Sequence, residues 1–305
     1  MQDIIAELKK RLTKAVRKNR TGGILLSGGL DSAILAYLCP ELRAITVSLG
    51  STAADLKYAK LTAKLLKLKH CRLHLSAKLA LQAIPEAIKI LGSFDPALPN
   101  DLVVYFGLQQ AKTLGINTVI TGDGSDELFG GYSFMQRLDD LQGYIKRIAR
   151  SMQFSSNRLG KYFKIKIVQP FLDKHVVDFA LKIKPELKIK RQGGRTWGKW
   201  ILRQAFRGYL PDAIIWQDKR PLEYGSGMSR LRGIISSKIK DRELKDHPDA
   251  IKFITRDHLY YYRIYQQVVG AIPPAKKGHR RCPGCRTGIT RGAFHCYLCG
   301  WAKPI

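Results

Sequence analysis

The sequence is short of acid. Its 305 residues hold 24 Asp and Glu against 53 Lys and Arg, and 53 − 24 leaves a net charge of +29. That surplus exceeds what solubility asks for. It points to a polyanionic partner, because clustered cations gain by displacing counterions from phosphates. Nucleic acid is the favoured partner, with an anionic membrane surface or a merely solvated surface as the alternatives. No run of about 18 apolar residues occurs, so no membrane-crossing helix is expected. Met1 to Arg20 is charged and amphipathic, without the apolar region of a signal peptide. Cysteine is scarce: there are six, with four packed into residues 282–299 and Cys39 and Cys71 alone in apolar stretches. This is no disulfide framework, and it suits a reducing cytoplasm. Also missing are G-x-x-x-x-G-K-S/T and G-x-G-x-x-G, so Walker-type γ-phosphate chemistry and the dinucleotide turn are not indicated.

What is present reads as alternating strands and helices. Residues 2–20 carry Ile4, Ile5, Leu8, Leu12 and Val16 at helical spacing. Short apolar or β-branched runs at 23–26, 44–49, 71–75 and 118–121 read as strands. Residues 31–38, 53–68, 77–91 and 101–114 read as helices. That order predicts an α/β fold with a parallel, Rossmann-like sheet and right-handed crossovers. The expected organisation is an N-terminal helix (1–20), a nucleotide core (21–135), a mostly helical completion (136–270), a Pro/Lys linker (271–278) and a small cysteine module (279–305).

Two segments carry chemistry. In the first, strand 23–26 runs through Ser27-Gly28-Gly29 straight into a helix beginning Leu30-Asp31-Ser32. Glycines let the backbone approach a phosphate closely, and the free N–H groups of a first helical turn face the anion. Ser27 and Ser32 add hydroxyl donors. Asp31 cannot meet phosphate directly and is expected to hold Mg²⁺. In the second, strand 118–121 enters Gly122-Asp123-Gly124-Ser125-Asp126-Glu127. Loops at the carboxyl ends of parallel strands converge on one crevice, so both are expected to face one ATP, with Mg²⁺ between Asp31 and Asp126. The bland alternatives are a tight strand–helix turn and helix-start charges.

At these motifs the chain resembles the synthetase domain of asparagine synthetase, within the broader pyrophosphate-loop, adenine nucleotide alpha hydrolase-like ATP pyrophosphatases. Val47-Ser48-Leu49-Gly50, Gln169-Pro170-Phe171-Leu172-Asp173, Lys199-Trp200-Ile201-Leu202-Arg203 and Gln217-Asp218-Lys219-Arg220 extend the likeness over roughly residues 20–230. The resemblance implies an AMP-forming amidoligase. A carboxylate would attack the α-phosphate of ATP, pyrophosphate would leave into Ser27–Ser32, and ammonia or an amine would then displace AMP. It implies that Lys219 contacts the pyrophosphate and intermediate and that Leu26, Val47 and Gly122 touch the nucleoside. Asp123 stands where the family has a catalytic glutamate, one methylene longer. Only 26 residues precede Ser27, fewer than the about 50 of a domain. No glutaminase domain is therefore expected on this chain, and nitrogen would come from free ammonia, a separate glutaminase or an amine. The acceptor-side segment Phe94–Asp101 departs from the family, so the carboxylate substrate need not be aspartate.

Cys282-x-x-Cys285 and Cys296-x-x-Cys299 are separated by ten residues. Four thiolates at that spacing fit a structural Zn²⁺ ribbon, and so small a module is expected to fold with its metal. His279 and His295 are expected to be non-ligands. Residues 271–305 contain Lys276, Lys277, Arg280, Arg281, Arg286, Arg291 and Lys303 and no acid, interleaved with Phe294, Tyr297 and Trp301. Residues 141–200 add 15 Lys/Arg against three acids, so 15 − 3 = +12. Cations with aromatics suit RNA or single strands. An alternative reading is therefore a tRNA-modifying enzyme using the same adenylation on an RNA-borne acceptor. The competing one has the ribbon packing on its own domain or a partner protein.

Overall fold

The computed structural model describes residues 1–19, 22–245 and 251–303. Five parallel strands form the central sheet: β1 (Gly23–Leu25), β2 (Arg43–Leu49), β3 (Lys69–Leu75), β4 (Thr118–Ile120) and β5 (Lys166–Val168), in the order β3-β2-β1-β4-β5. The helices that matter are α1 (Gln2–Arg17), α2 (Leu30–Leu38), α3 (Leu56–Leu65), α4 (Ala77–Gln82), α5 (Ile84–Leu91), α6 (Leu98–Thr113), α7 (Ser125–Phe129), α8 (Leu141–Ile148), α9 (Ser155–Phe163), α10 (Lys174–Ala180), α11 (Pro185–Lys188) and α12 (Trp200–Phe206). Among the described residues no helix is long and apolar enough to cross a membrane.

The inner strands β1, β2 and β4 are covered on both faces, which is why they read as largely apolar runs; on the edge strand β3 only Leu75 is buried. Six of the seven residues of β2 are buried. Its two buried polar members are satisfied: Thr46 Oγ1 donates to the Leu26 carbonyl at 2.6 Å and Ser48 Oγ to the Gly50 carbonyl at 2.7 Å. Strand alternation sends Ile45, Val47 and Leu49 into a core shared with α5, α6 and the helix Arg256–Val268. Ile24, Ala44 and Ile120 face a second core with α1, α2 and α12.

The helical pattern over 77–91 is broken in two. Pro85 lies in the first turn of α5, where its missing N–H costs nothing, whereas inside a continuous helix it would remove a hydrogen bond. β5 was not expected from a region that reads as helical and irregular. Its three residues are too few to show a period, and pairing with β4 alone makes them a strand. Two small antiparallel hairpins complete the strands, β6 (Lys190–Gln192) with β7 (Arg195–Trp197), and β8 (Arg280–Arg281) with β9 (Gly288–Ile289).

From β1 the chain steps outward to β2 and β3, then returns to place β4 on the other side of β1. The loops after β1 and β4 therefore diverge across a switch point, where open α/β sheets bind ligands.

Candidate active site

The turn after β1 depends on Gly28. Its φ is +89°, and a Cβ there would collide with the Asp55 carbonyl, so only glycine fits. Gly29 then opens α2. The Ser27 hydroxyl accepts from the Gly29 N–H at 3.2 Å and lies 3.1 Å from Ser32 Oγ, which in turn donates to the Gly29 carbonyl at 3.1 Å. The two serines thus close the turn on itself. After β4, Gly124 has φ +90° and starts α7.

The two turns meet. Ser125 Oγ donates to Asp31 Oδ1 at 2.6 Å, and a Cβ on Gly122 would stand 3.0 Å from Asp31 Cβ. Asp31 and Asp126 converge on one cation, the ammonium of Lys199, with Nζ 2.6 Å from Asp31 Oδ2 and 2.8 Å from Asp126 Oδ1. Lys219 reaches the other oxygen of Asp126 at 2.9 Å. Burial by itself would lower the Lys199 pKa, but Asp126 and Asp31 outweigh it and hold the amine charged above its usual value. Burial likewise works to raise Asp126, yet Lys199 and Lys219 pull it down to about 2. Neighbouring Glu127 is pushed up by burial and by Asp126, while Tyr132 donates to it at 2.6 Å.

Lys199 belongs to the site although in sequence it is only one residue of a resembling segment. Its backbone is in the left-handed region, φ +55°. For a residue with a Cβ this costs of order 1–3 kcal/mol and concentrates at functional sites. Its N–H is held by the Phe129 carbonyl at 3.0 Å, directly behind the second turn, and its side chain is 4% exposed. A lone lysine in a basic chain carries no sequence signal; only the fold brings it between two carboxylates.

The gap between Asp31 and Asp126 is thus already sized for a cation. Mg²⁺ beside a triphosphate is ordinarily held by one or two carboxylates plus phosphate oxygens, and these two side chains fit that donor set.

The remaining expected residues are distributed around this centre. Asp123 Oδ2 accepts from Thr121 Oγ1 at 2.7 Å, Ser156 Oγ at 2.6 Å and Gln169 Nε2 at 2.8 Å. Among the described residues Oδ1 has no such partner. Leu26 is completely buried and Val47 is 6% exposed, and they belong to the cores on opposite faces of the sheet. The loop bearing Lys219 is tied down, since Gln217 Nε2 donates to the Gly28 carbonyl at 2.7 Å and Arg220 pairs with Asp55 at 2.7 Å.

The four expected cysteines come together as a second, separate cluster. Every Sγ of Cys282, Cys285, Cys296 and Cys299 lies within 4.8 Å of the others, and two pairs approach to 3.7 and 3.8 Å. A tetrahedral zinc with bonds of about 2.3 Å places its sulfurs roughly 3.8 Å apart, so the cage fits a single ion. Neither nearby histidine joins it; His295 Nε2 instead faces Asp95 Oδ2 at 3.0 Å. The module docks on the body through its backbone. The Leu298 carbonyl accepts from Phe94 N at 2.8 Å and Ser93 Oγ at 3.1 Å, and Lys252 N donates to the Gly284 carbonyl at 2.9 Å. It lies against Phe94–Asp101, the segment that departs from the resembling family. Asp101, on α6, is pushed up to about 7, chiefly by burial and then by the nearby negative charge of Asp95 and Asp123.

Comparison with known proteins bears on the family. The family model for asparagine synthase matches residues 6–167 and 153–267. A probable glutamine-hydrolyzing asparagine synthetase of Dictyostelium discoideum is 28% identical over 296 residues, covering 84% of this chain and 52% of that protein. The glutamine-hydrolyzing asparagine synthetase B of Escherichia coli K12 is 26% identical over 311 residues, covering 91% and 55%. The chain therefore spans about half the length of the curated relatives it matches. A solved U34-tRNA thiolase, NcsA from Methanococcus maripaludis with its 4Fe-4S cluster, aligns at 15% identity and a TM-score of 0.37 over 93% of this chain and 84% of that one, too distant to carry an argument. With a model match running from the first helix to the end of the long C-terminal helix, the chain belongs to the asparagine synthase family.

Proposed function

We propose that the chain is an ATP-dependent, AMP-forming amidoligase. The observation that carries this reading is the convergence of Asp31 and Asp126, from two glycine turns, on one buried cation at the sheet's switch point. No G-x-x-x-x-G-K-S/T accompanies the two acidic turns, so the P-loop route to γ-phosphate chemistry is not indicated. In the reading, a carboxylate oxygen of the substrate attacks the α-phosphorus of ATP. The bond to the β-phosphate breaks, and pyrophosphate leaves into the Ser27–Ser32 turn. Ammonia or an amine then adds to the acyl carbon, loses a proton, and AMP departs.

Asp31 and Asp126 would hold Mg²⁺, which when bound neutralises phosphate charge. Lys199 and Lys219 both stand against Asp126, and each is a cation that can turn toward the negative charge growing on pyrophosphate. Asp123, with Oδ2 fixed by three donors and Oδ1 open, orients the acceptor or takes the proton of the incoming amine. Gln217 and Arg220 hold the Lys219 loop over the first turn. The four cysteines would hold Zn²⁺ with all positions filled, which gives the ion a structural role.

The test is to incubate the protein with ATP, Mg²⁺, ammonium and a panel of amino-acid carboxylates, and to separate the nucleotide products. AMP and pyrophosphate in equal amounts support the reading; ADP with inorganic phosphate overturns it. The acid-free cysteine segment favours a second version, in which the same chemistry acts on an acceptor carried by RNA.

A further inference from the structure

The cysteine module packs on the body without using its lysines or arginines, its one charged contact among the described residues being His295 against Asp95. The contacts that seat it are the Leu298 and Gly284 carbonyls and the buried Cys282, Cys285, Ile289, Cys296 and Leu298. Its cations face outward: Lys276, Lys277, Arg281, Arg286, Arg291 and Lys303 are all exposed. Among the described residues none of them has a carboxylate partner. Lys303 also stands 5.6 Å from the Phe294 ring; the other five, on a linker and module without a single acid, pair with no carboxylate among the described residues, and their mutual repulsion is a cost.

The module also continues the surface of two body helices. Arg147 of α8 stacks its guanidinium 5.4 Å from the Phe294 ring, and Tyr144 meets the same ring edge-on at 5.8 Å. Arg158 of α9 stands 5.1 Å from the ring of Tyr297, which is 47% exposed. Lys146, Arg150, Lys161 and Lys164 are exposed on or beside these helices. This face runs inward to the nucleotide centre. His295 lies between Phe294 and Cys296 and meets Asp95. Ser156 of α9, two residues before Arg158, donates to Asp123 Oδ2 at 2.6 Å, and Asp123 belongs to the second glycine turn.

We propose that α8, α9 and the cysteine module form one RNA-docking face, and that it presents a single-stranded loop or end of the RNA to the acceptor side of the ATP centre, next to Asp123. The partner is identified by chemistry. Guanidinium and ammonium groups neutralise phosphates, and half-exposed rings beside them offer platforms for unstacked bases. A folded RNA supplies both a phosphate track and splayed bases, whereas an anionic membrane supplies charge without bases. The proposal rests on the amidoligase reading for what happens at Asp123, but not for the binding itself.

The experiment uses the full chain, its zinc content measured by plasma emission. Fluorescence anisotropy with a labelled pool of cellular small RNA is read from about 50 to 300 mM salt. About six phosphate contacts predict a log–log slope near −4 for single-stranded segments. The double variant Arg281→Glu/Arg291→Glu should bind at least tenfold more weakly, with zinc content and Tm unchanged. Equal binding by that variant overturns the proposal. So does a wild-type slope near zero, or retention on vesicles of phosphatidylserine and phosphatidylcholine together with no RNA binding. The same result for a dT oligonucleotide as for the RNA pool would overturn the assignment to RNA. The two readings fail separately. RNA binding that meets these criteria while no AMP forms with any acceptor, RNA included, keeps the docking face and removes the ligase.

Discussion

Two clusters of ligand-type side chains organise this protein, two carboxylates and four sulfurs, and they differ in what stands between them. At the sheet's switch point, Asp31 and Asp126 close on Lys199, a charge the chain supplies itself. In the cysteine module, four buried sulfurs close on one another within 4.8 Å, and among the described residues no ion pair reaches them. In the proposed reading the first centre assembles before any ligand arrives and exchanges its cation when one does, whereas the second, a small module, takes its shape with an ion bound. Ligand turnover calls for the former arrangement and permanent structure for the latter.

The largest way to test the contrast is to remove the metal. Chelation, or Cys296→Ser, should abolish stoichiometric zinc and unfold the module locally, since apparent zinc binding energies in such modules are about 10–16 kcal/mol. Limited proteolysis should then cut within residues 270–303 while the nucleotide core stays resistant. Equal protection with and without metal would break the comparison.

Next in size is Lys199→Met, which strands two largely buried carboxylates. Breaking a buried pair from one side costs roughly 3–5 kcal/mol, and losing a preorganised charge from the phosphate site should lower AMP formation at least about 100-fold. Thermal melts and product analysis read the two effects, and zinc content should not change. Unaltered stability would mean that the two carboxylates do not rely on Lys199.

A buried cation with no carboxylate sharpens the point. Lys188 is completely buried, its Nζ has no hydrogen-bond partner among the described residues, and desolvation lowers its pKa to about 8. Below pH 8 the amine is charged in both folded and unfolded chains, and the folded state bears the full penalty. Between pH 8 and 10.5 only the unfolded chain keeps the proton, so stability rises with pH. Lys188→Met should therefore stabilise the protein at pH 7 by up to about 3 kcal/mol, from the pKa displacement. That advantage should fade as the pH approaches 10.5 in denaturant titrations. A constant advantage would point to packing instead.

The smallest effect belongs to an exposed pair. Lys174 and Asp178 stand 2.5 Å apart with side chains 82% and 48% exposed. Asp178→Asn should leave Tm unchanged within error, because solvent screens such pairs.

The sequence by itself determined the elements whose local chemistry leaves little choice. Glycine turns after apolar runs, carboxylates in the second turn, and two Cys-x-x-Cys knuckles were legible because each is a contiguous pattern. So was the alternation that predicted a parallel sheet. Three things waited for the tertiary structure. β5 exists because β4 offers an edge to a three-residue segment. Lys199 matters because the fold carries α12 behind the second turn, 168 residues from Asp31. The cysteine module lies beside Phe94 and Asp95, some 200 residues away in sequence. The physical reason is common to all three. Backbone propensity and motif spacing act over a few residues, whereas a charge between two carboxylates is set by whichever distant side chains the packed sheet brings within about 3 Å.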